Sequence, residues 1–257
     1  MRISRIHKYI LNIIDRKYQN YLERQGQEKL MANGELWREL NNYTKCSPSS
    51  GCSYSDYWVL YKYIKEAKPK EVLECGTGVS TIVMAHAMSE NEKENNIKGR
   101  ITSMEDKEEY YHHVSNCLPD RLKKYVEIVC SPRVEHFYCL FRGVGYKNIP
   151  DRPYDFVFID GPGTSATSDG AKTFDFDFIN VVLRSEKPVY AMVDTRMSTC
   201  WAFKNIFKEG KVLYDYRYDL GFIGPCAKDD LRSTNEIIRS LGPYPLKRGC
   251  VWRRIKN

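Results

Sequence analysis

The sequence predicts a doubly wound α/β fold: a mostly parallel central sheet covered by helices and preceded by a helical extension. Three observations predict it. Short apolar runs of strand character alternate with longer runs of helical periodicity. A glycine-bearing turn falls directly between the first core strand and the helix after it, and two later strands end in aspartate where such sheets open to ligands. At 257 residues the chain can bury one substantial core, and 42% hydrophobic with 28% charged residues excludes a disordered polymer.

The N-terminal segment carries Ile3, Ile6, Ile10, Ile13 and Ile14, then Tyr18, Tyr21 and Leu22, at helical spacing. This predicts an amphipathic helix over residues 3–24 that packs on the main domain or on a second copy of the chain. Its basic residues also suit peripheral contact with a membrane surface. Charge interrupts the apolar positions, so the segment lacks a signal-peptide core, and no later stretch reaches membrane-spanning length. A cytoplasmic location is expected. Residues 41–53 read as a turn-rich linker, which divides the chain into an extension, 1–52, and an α/β domain, 53–257.

Ser53 or Ser55 can cap a helix through YWVLYKYIKEA, which Pro69 helps to end. EVLEC is then a strand, GTGVS a loop and TIVMAHAMSE a helix. RITSME is a second strand, DKEEYYHHVSNCL a helix and YVEIVC a third strand. YDFVFID and PVYAMVD supply two more strands, and TCWAFKNIF the next helix. The intervening GPGTSATSDGAKTFDFDF reads as a movable substrate-facing loop. There Asp175 and Asp177 can bind a polyol or metal, and Phe174, Phe176 and Phe178 can bury its return. VLYDYRY is strand-like, GFIGP a turn, DDLRSTNEIIRSLG a helix and CVWRRI a final strand.

The nine cysteines form no CxxC pair, and several sit inside predicted strands, so reduced, buried thiols are expected. The formal charge of +7 is scattered among acids and reads as surface solubility ahead of nucleic-acid binding. His86 reads as a buried packing residue, and Trp201 can cap a substrate pocket or, as the favoured reading, pack into the core.

The chemistry concentrates at Glu74-Cys75-Gly76-Thr77-Gly78-Val79-Ser80. Glycines let the backbone turn sharply and approach a ligand, and the amides opening the next helix donate hydrogen bonds. On these residues the chain resembles the class I S-adenosylmethionine-dependent methyltransferases, whose first motif has an acidic residue followed by GxG. The resemblance implies a Rossmann-like methyltransferase fold with Glu74 and the Gly76–Gly78 turn, Thr77 included, against the amino-acid part of the cofactor. Ser80 stands where many members have a third glycine. It further implies that Glu105 holds the ribose hydroxyls, with Asp106 as the adjacent alternative, and that Ser131, Pro132 and Arg133 lie along the adenine edge. Nicotinamide enzymes share a glycine turn and a later carboxylate, but GTGVST departs from their GxGxxG pattern.

Asp160, in the run YDFVFIDGPG, is implied to lie beside the cofactor or the reacting centre. The absence of an NPPY-like segment points away from DNA amino-methyltransferases, and the carboxylate-rich IDG loop resembles those of small-molecule O-methyltransferases, which implies O-methylation of a small molecule or glycan. Asp194 ends the next strand. Catechol-type members carry acidic metal ligands at comparable strand ends, but Thr195 follows here where they have Asn. Two readings therefore stand: a divalent cation held by Asp160, Asp194 and Asp169, or a metal-free site with one Asp as base. A nucleic-acid methyltransferase and a non-catalytic cofactor-binding protein are the competing functions.

Overall fold

The computed structural model describes residues 5–46 and 53–240. It opens with two helices, α1 (Arg5–Ala32) and α2 (Gly34–Cys46), followed by α3 (Tyr54–Ala67). Helix continues through 41–46, where a linker was expected: Leu36, Leu40 and Tyr43 form a buried stripe that holds α2 down. Ser53 is the N-cap of α3 and accepts from the Asp56 amide, and Lys68 closes the helix in a left-handed conformation just before Pro69.

A seven-stranded sheet forms the centre, in the order β3-β2-β1-β6-β7-β9-β8. Its strands are β1 (Glu71–Cys75), β2 (Arg100–Glu105), β3 (Val126–Cys130), β6 (Phe156–Ile159), β7 (Val189–Asp194), β8 (Val212–Asp215) and β9 (Leu220–Cys226). The first five in spatial order are parallel, while β9 runs antiparallel to both β7 and β8. From β1 the chain winds outward through β2 and β3, then returns to β6 on the other side of β1. The order therefore reverses between β1 and β6, which opens a crevice at their carboxyl ends.

Helices α4 (Val79–Asn95), α5 (Glu108–Cys117), α6 (Asp177–Arg184) and α7 (Met197–Ile206) link the strands, and α8 (Thr234–Ser240) ends the described chain. Two apolar clusters build the core. One joins Leu30, Leu36 and Tyr43 of the N-terminal helices to Leu60, Ile82 and Val72. The other joins Leu73, Val157 and Val193 of the sheet to Phe178 and Phe203. Buried His86 on α4 contributes to the first through its ring: Nδ1 lies 2.8 Å from Glu39 on α2, and Nε2 lies 3.3 Å from Glu90.

Three segments differ from the sequence expectation. GFIGP is not a turn but the middle of β9, where glycine at 221 leaves room for the Cys200 thiol on α7. Residues 133–146 form a separate hairpin of β4 (Arg133–Tyr138) and β5 (Phe141–Tyr146), whose turn at Cys139 and Leu140 carries none of the usual turn residues. The end of the expected mobile loop is fixed: the Val144 amide donates to the Phe174 carbonyl at 2.9 Å, and α6 begins at Asp177. Trp201 is 61% exposed rather than in the core, with its ring edge-on to Phe141. The expected final strand CVWRRI, and residues 3 and 4 of the predicted N-terminal helix, lie outside the described residues.

Phe203 is fully buried among the rings of Phe174, Phe178 and Phe207. Phe203→Ala is expected to cost about 3–5 kcal/mol of unfolding free energy in a urea titration, as for other large-to-small core changes.

Candidate cofactor cleft and active site

The crevice between β1 and β6 holds a cleft of about 440 Å³, lined by the loop after β1, the end of β2, the start of α5 and the loop after β6. Backbone hydrogen bonds fix its floor: Gly76 donates to the Met104 carbonyl at 3.0 Å, and Asp160 donates to the Cys75 carbonyl at 2.9 Å. Gly76 has a φ of +95°, and a Cβ there would stand 3.0 Å from the Asp160 carbonyl carbon. A Cβ on Gly161 would lie 2.7 Å from the Gly76 Cα. The two loops thus approach closely at two positions without side chains. Gly78, with extended φ of 172°, is not conformationally restricted in this way.

Glu74 does not line the cleft. Its carboxylate is fully buried below the loop, where it accepts from Ser80 and Thr81 hydroxyls at 2.6 Å and from Ser103 at 2.5 Å. Burial pushes this carboxyl up to about 7. Ser80 is buried with it, and the Gly78 amide donates to the Thr81 hydroxyl at 3.0 Å. These groups therefore shape the loop from beneath, while Gly76 and Thr77 present its upper surface.

Glu105 faces the cleft at the end of β2. Two amides, of Asp106 and Lys107, donate to its Oε1 at 3.0 Å, and the Thr77 hydroxyl donates to its Oε2 at 3.1 Å. Its carboxylate is thereby held in one orientation with lone pairs still facing outward. Asp106, Lys107, Tyr110 and Tyr146 line the same cleft. Lys107, Tyr110 and Tyr146 escaped sequence reasoning, because nothing in EEYYHH or GVGY marks which aromatic faces a ligand.

Ser131 is also buried away from the cleft; its hydroxyl accepts from the Asn148 amide at 2.9 Å. Arg133 does line it, donating to the Gly163 carbonyl at 3.1 Å with its Nε 3.6 Å from Asp106. It spans from the start of β4 to the loop after β6.

Asp160 and Asp194 end neighbouring strands, with Ile159 beside Val193 in register, but only Asp160 lines the cleft. Asp194 is buried at the β7–β9 junction. Arg196 stands behind Asp160. Its guanidinium donates to the Asp160 carbonyl, to the Pro162 carbonyl at 2.9 Å and to the Asp175 carboxylate at 2.9 Å, and lies 3.5 Å from the Asp160 carboxylate. Burial holds the Asp175 carboxyl up at about 6, despite the opposing pull of Arg196 and the Thr199 hydroxyl. Asp177 is buried as well, accepting from the Tyr146 amide at 2.9 Å, so both expected polyol or metal acids of the loop serve packing instead.

The oxygen set considered for a divalent cation is not assembled. Asp169 is engaged by Arg142 at the surface, Asp194 lies outside the cleft, and Arg196 supplies the positive charge beside Asp160 and Asp175. Among the described residues no group of three or more His, Cys, Asp or Glu side chains is arranged to hold a metal ion. S-adenosylmethionine fits the donor set better: three carboxylates, Glu105, Asp106 and Asp160, face the cleft against Lys107 and Arg133. That balance suits a ligand bearing an ammonium and a sulfonium group.

Part of the chain matches a known family. Residues 73–186, from β1 through α6, match the family model described as a methyltransferase domain. No match is found among curated proteins. A putative caffeoyl-CoA O-methyltransferase from Staphylococcus aureus aligns at 16% identity and a TM-score of 0.46, over 80% of this chain and 99% of that one. The O-methyltransferase TomG from Streptomyces achromogenes, solved with S-adenosylmethionine, aligns at 15% identity and a TM-score of 0.38. That alignment covers 61% of this chain, which spans 63% of the TomG chain. A methyltransferase from Aquifex aeolicus gives 18% and 0.38, over 64% and 87% of the two chains. Residues 73–186 thus match a methyltransferase domain, and the residues that resemble its cofactor motifs gather at the β1–β6 crevice.

Two outcomes follow from the cleft. Because the Glu74 carboxyl is raised in the folded state, its contribution to stability is fully present below its ordinary value near 4.5 and is lost as pH rises through about 7. Thermal melts of Glu74→Gln should therefore lose less stability than the wild type between those pH values. Glu105→Ala should weaken S-adenosylhomocysteine binding by about tenfold or more in calorimetry, the loss expected for charge-assisted hydrogen bonds.

Proposed function

We propose that the chain transfers the methyl group of S-adenosylmethionine to a hydroxyl oxygen of a small molecule or glycan, with Asp160 as the base. One observation carries the reading: Gly76, Glu105 and Asp160, from three different strand ends, line a single cleft. When bound, the cofactor supplies a methyl carbon on positively charged sulfur, open to in-line displacement. Glu105, its orientation set by two amides and Thr77, accepts from the ribose hydroxyls. Thr77 and the Gly76 backbone bound the amino-acid end, and Arg133 and Tyr110 flank the adenine. Asp160 takes the hydroxyl proton of the acceptor at a carboxylate oxygen. Arg196 anchors it from behind, at 3.5 Å from its carboxylate, where Asp160 lines the cleft.

This reading needs no divalent cation. The carboxylates of Glu105, Asp106 and Asp160 at the cleft also disfavour a phosphodiester approaching the reacting centre, which sets nucleic acid behind a neutral acceptor.

Calorimetry with S-adenosylmethionine, its demethylated product and NAD tests the proposal. Binding of both sulfur compounds is expected; binding of NAD alone would overturn it. With an acceptor in hand, Asp160→Asn should lower kcat by about 10²–10⁴-fold, the range of general-base catalysis, while cofactor affinity holds. EDTA should leave turnover unchanged.

A further inference from the structure

A second cleft, of about 410 Å³, lies at the same edge of the sheet but over the ends of β7 and β9, and nothing in the cofactor reading uses it. It is bounded by α1 (Gln19, Asn20 and Glu23), the start of α3 (Ser53, Ser55 and Asp56) and the turn between β8 and β9. Thr195, in its lining, donates its amide to the Asp219 carbonyl at 2.9 Å, and the next residue, Arg196, donates to the Asp160 carbonyl. The Thr195–Arg196 step after β7 thus connects the wall of this cleft to Asp160.

We infer that this cleft binds the methyl acceptor and that the acceptor is a neutral polyhydroxylated molecule of the sugar class. The inference rests on the methyltransferase reading and names its substrate class. The volume lies within the range of small-molecule sites, about 300–1,000 Å³. Its described walls offer two side-chain amides, four hydroxyls and three carboxylates.

The carboxylates are already steadied by neutral donors. Glu23 accepts from the Tyr54 and Ser55 amides at 2.9 and 3.1 Å, Asp56 from Ser53 and Ser55 hydroxyls at 2.5 and 3.1 Å, and Asp219 from the Tyr214 hydroxyl at 3.1 Å. Each keeps acceptor capacity for further hydroxyl donors. Arg217, the one cation among the described lining residues, is tied to Asp215, so a phosphate or carboxylate ligand meets the negative charge of Glu23, Asp56 and Asp219.

Tyrosine rings supply the apolar half that a sugar ring needs. Tyr218 lines the cleft, and an adjoining hollow that shares Gln19, Arg217 and Asp219 adds Tyr18 and Tyr216. Tyr18 is 42% and Tyr216 70% exposed, so their rings are available for stacking.

The test uses the full chain saturated with S-adenosylhomocysteine. Saturation-transfer NMR and calorimetry are run with the methyl glycosides of glucose, galactose, mannose, rhamnose and xylose, alongside catechol and spermidine. At least one glycoside should bind, and Asp219→Asn and Gln19→Ala should each weaken it by about tenfold, as for loss of one or two hydrogen bonds. S-adenosylhomocysteine affinity should stay the same, which also reports that the variants fold. The inference is overturned if no glycoside binds a protein that does bind S-adenosylhomocysteine, if catechol or spermidine occupies the cleft instead, or if glycoside binding survives both substitutions. Glycoside binding that both variants lose, in a protein that takes no S-adenosylhomocysteine, supports the cleft and overturns the cofactor reading alone.

Discussion

The approach of two loop backbones, after β1 at Gly76 and after β6 at Gly161, is the constraint on which the site depends. A side chain at either position would meet main-chain atoms of the other loop at 3.0 Å or less. Since backbone cannot move aside as a flexible side chain can, the loops would part. Asp160 would then leave its place beside the Gly76 turn. The reversal of strand order brings β1 and β6 together; the paired glycines let their ends close to one continuous floor.

Above that floor the site is a distribution of charge. Burial makes each isolated carboxylate expensive, and the structure answers this differently at each one. Glu74 is given three hydroxyl donors, Glu105 two amides and a hydroxyl, and Asp175 a guanidinium and a hydroxyl. Arg196 has the widest reach, since it ties Asp160, Pro162 and Asp175 to the loop after β7. Its own burial favours the neutral form, but the neighbouring carboxylates outweigh this and hold it charged. A fixed cation in that position holds Asp160 at the wall of the cleft.

The sequence made much of this legible, and the rest was hidden for physical reasons. Strands such as EVLEC and RITSME are apolar runs bounded by a turn or a charged connection, so β1 and β2 were readable to the residue. Gly76 and Asp160 stood out because glycine turns and acids at strand ends are where a parallel sheet meets ligands. Glu74 and Ser80 belong to the same motif, yet motif membership does not tell which side of the loop a side chain takes. Here they point into the core. Arg196 carried no signal in the sequence, since its partners are 20 and more residues away. The β4–β5 hairpin and β9 were obscured by an apolar turn and by glycines inside strands, both inversions of local punctuation.

The central claim is that the loops after β1 and β6 form one cofactor floor, and amide hydrogen exchange with and without S-adenosylhomocysteine tests it most directly. The account predicts that the ligand slows exchange together at Gly76–Gly78, at Glu105–Lys107 and at Gly161–Gly163. Protection confined to one of these loops, or found only with NAD, would contradict it.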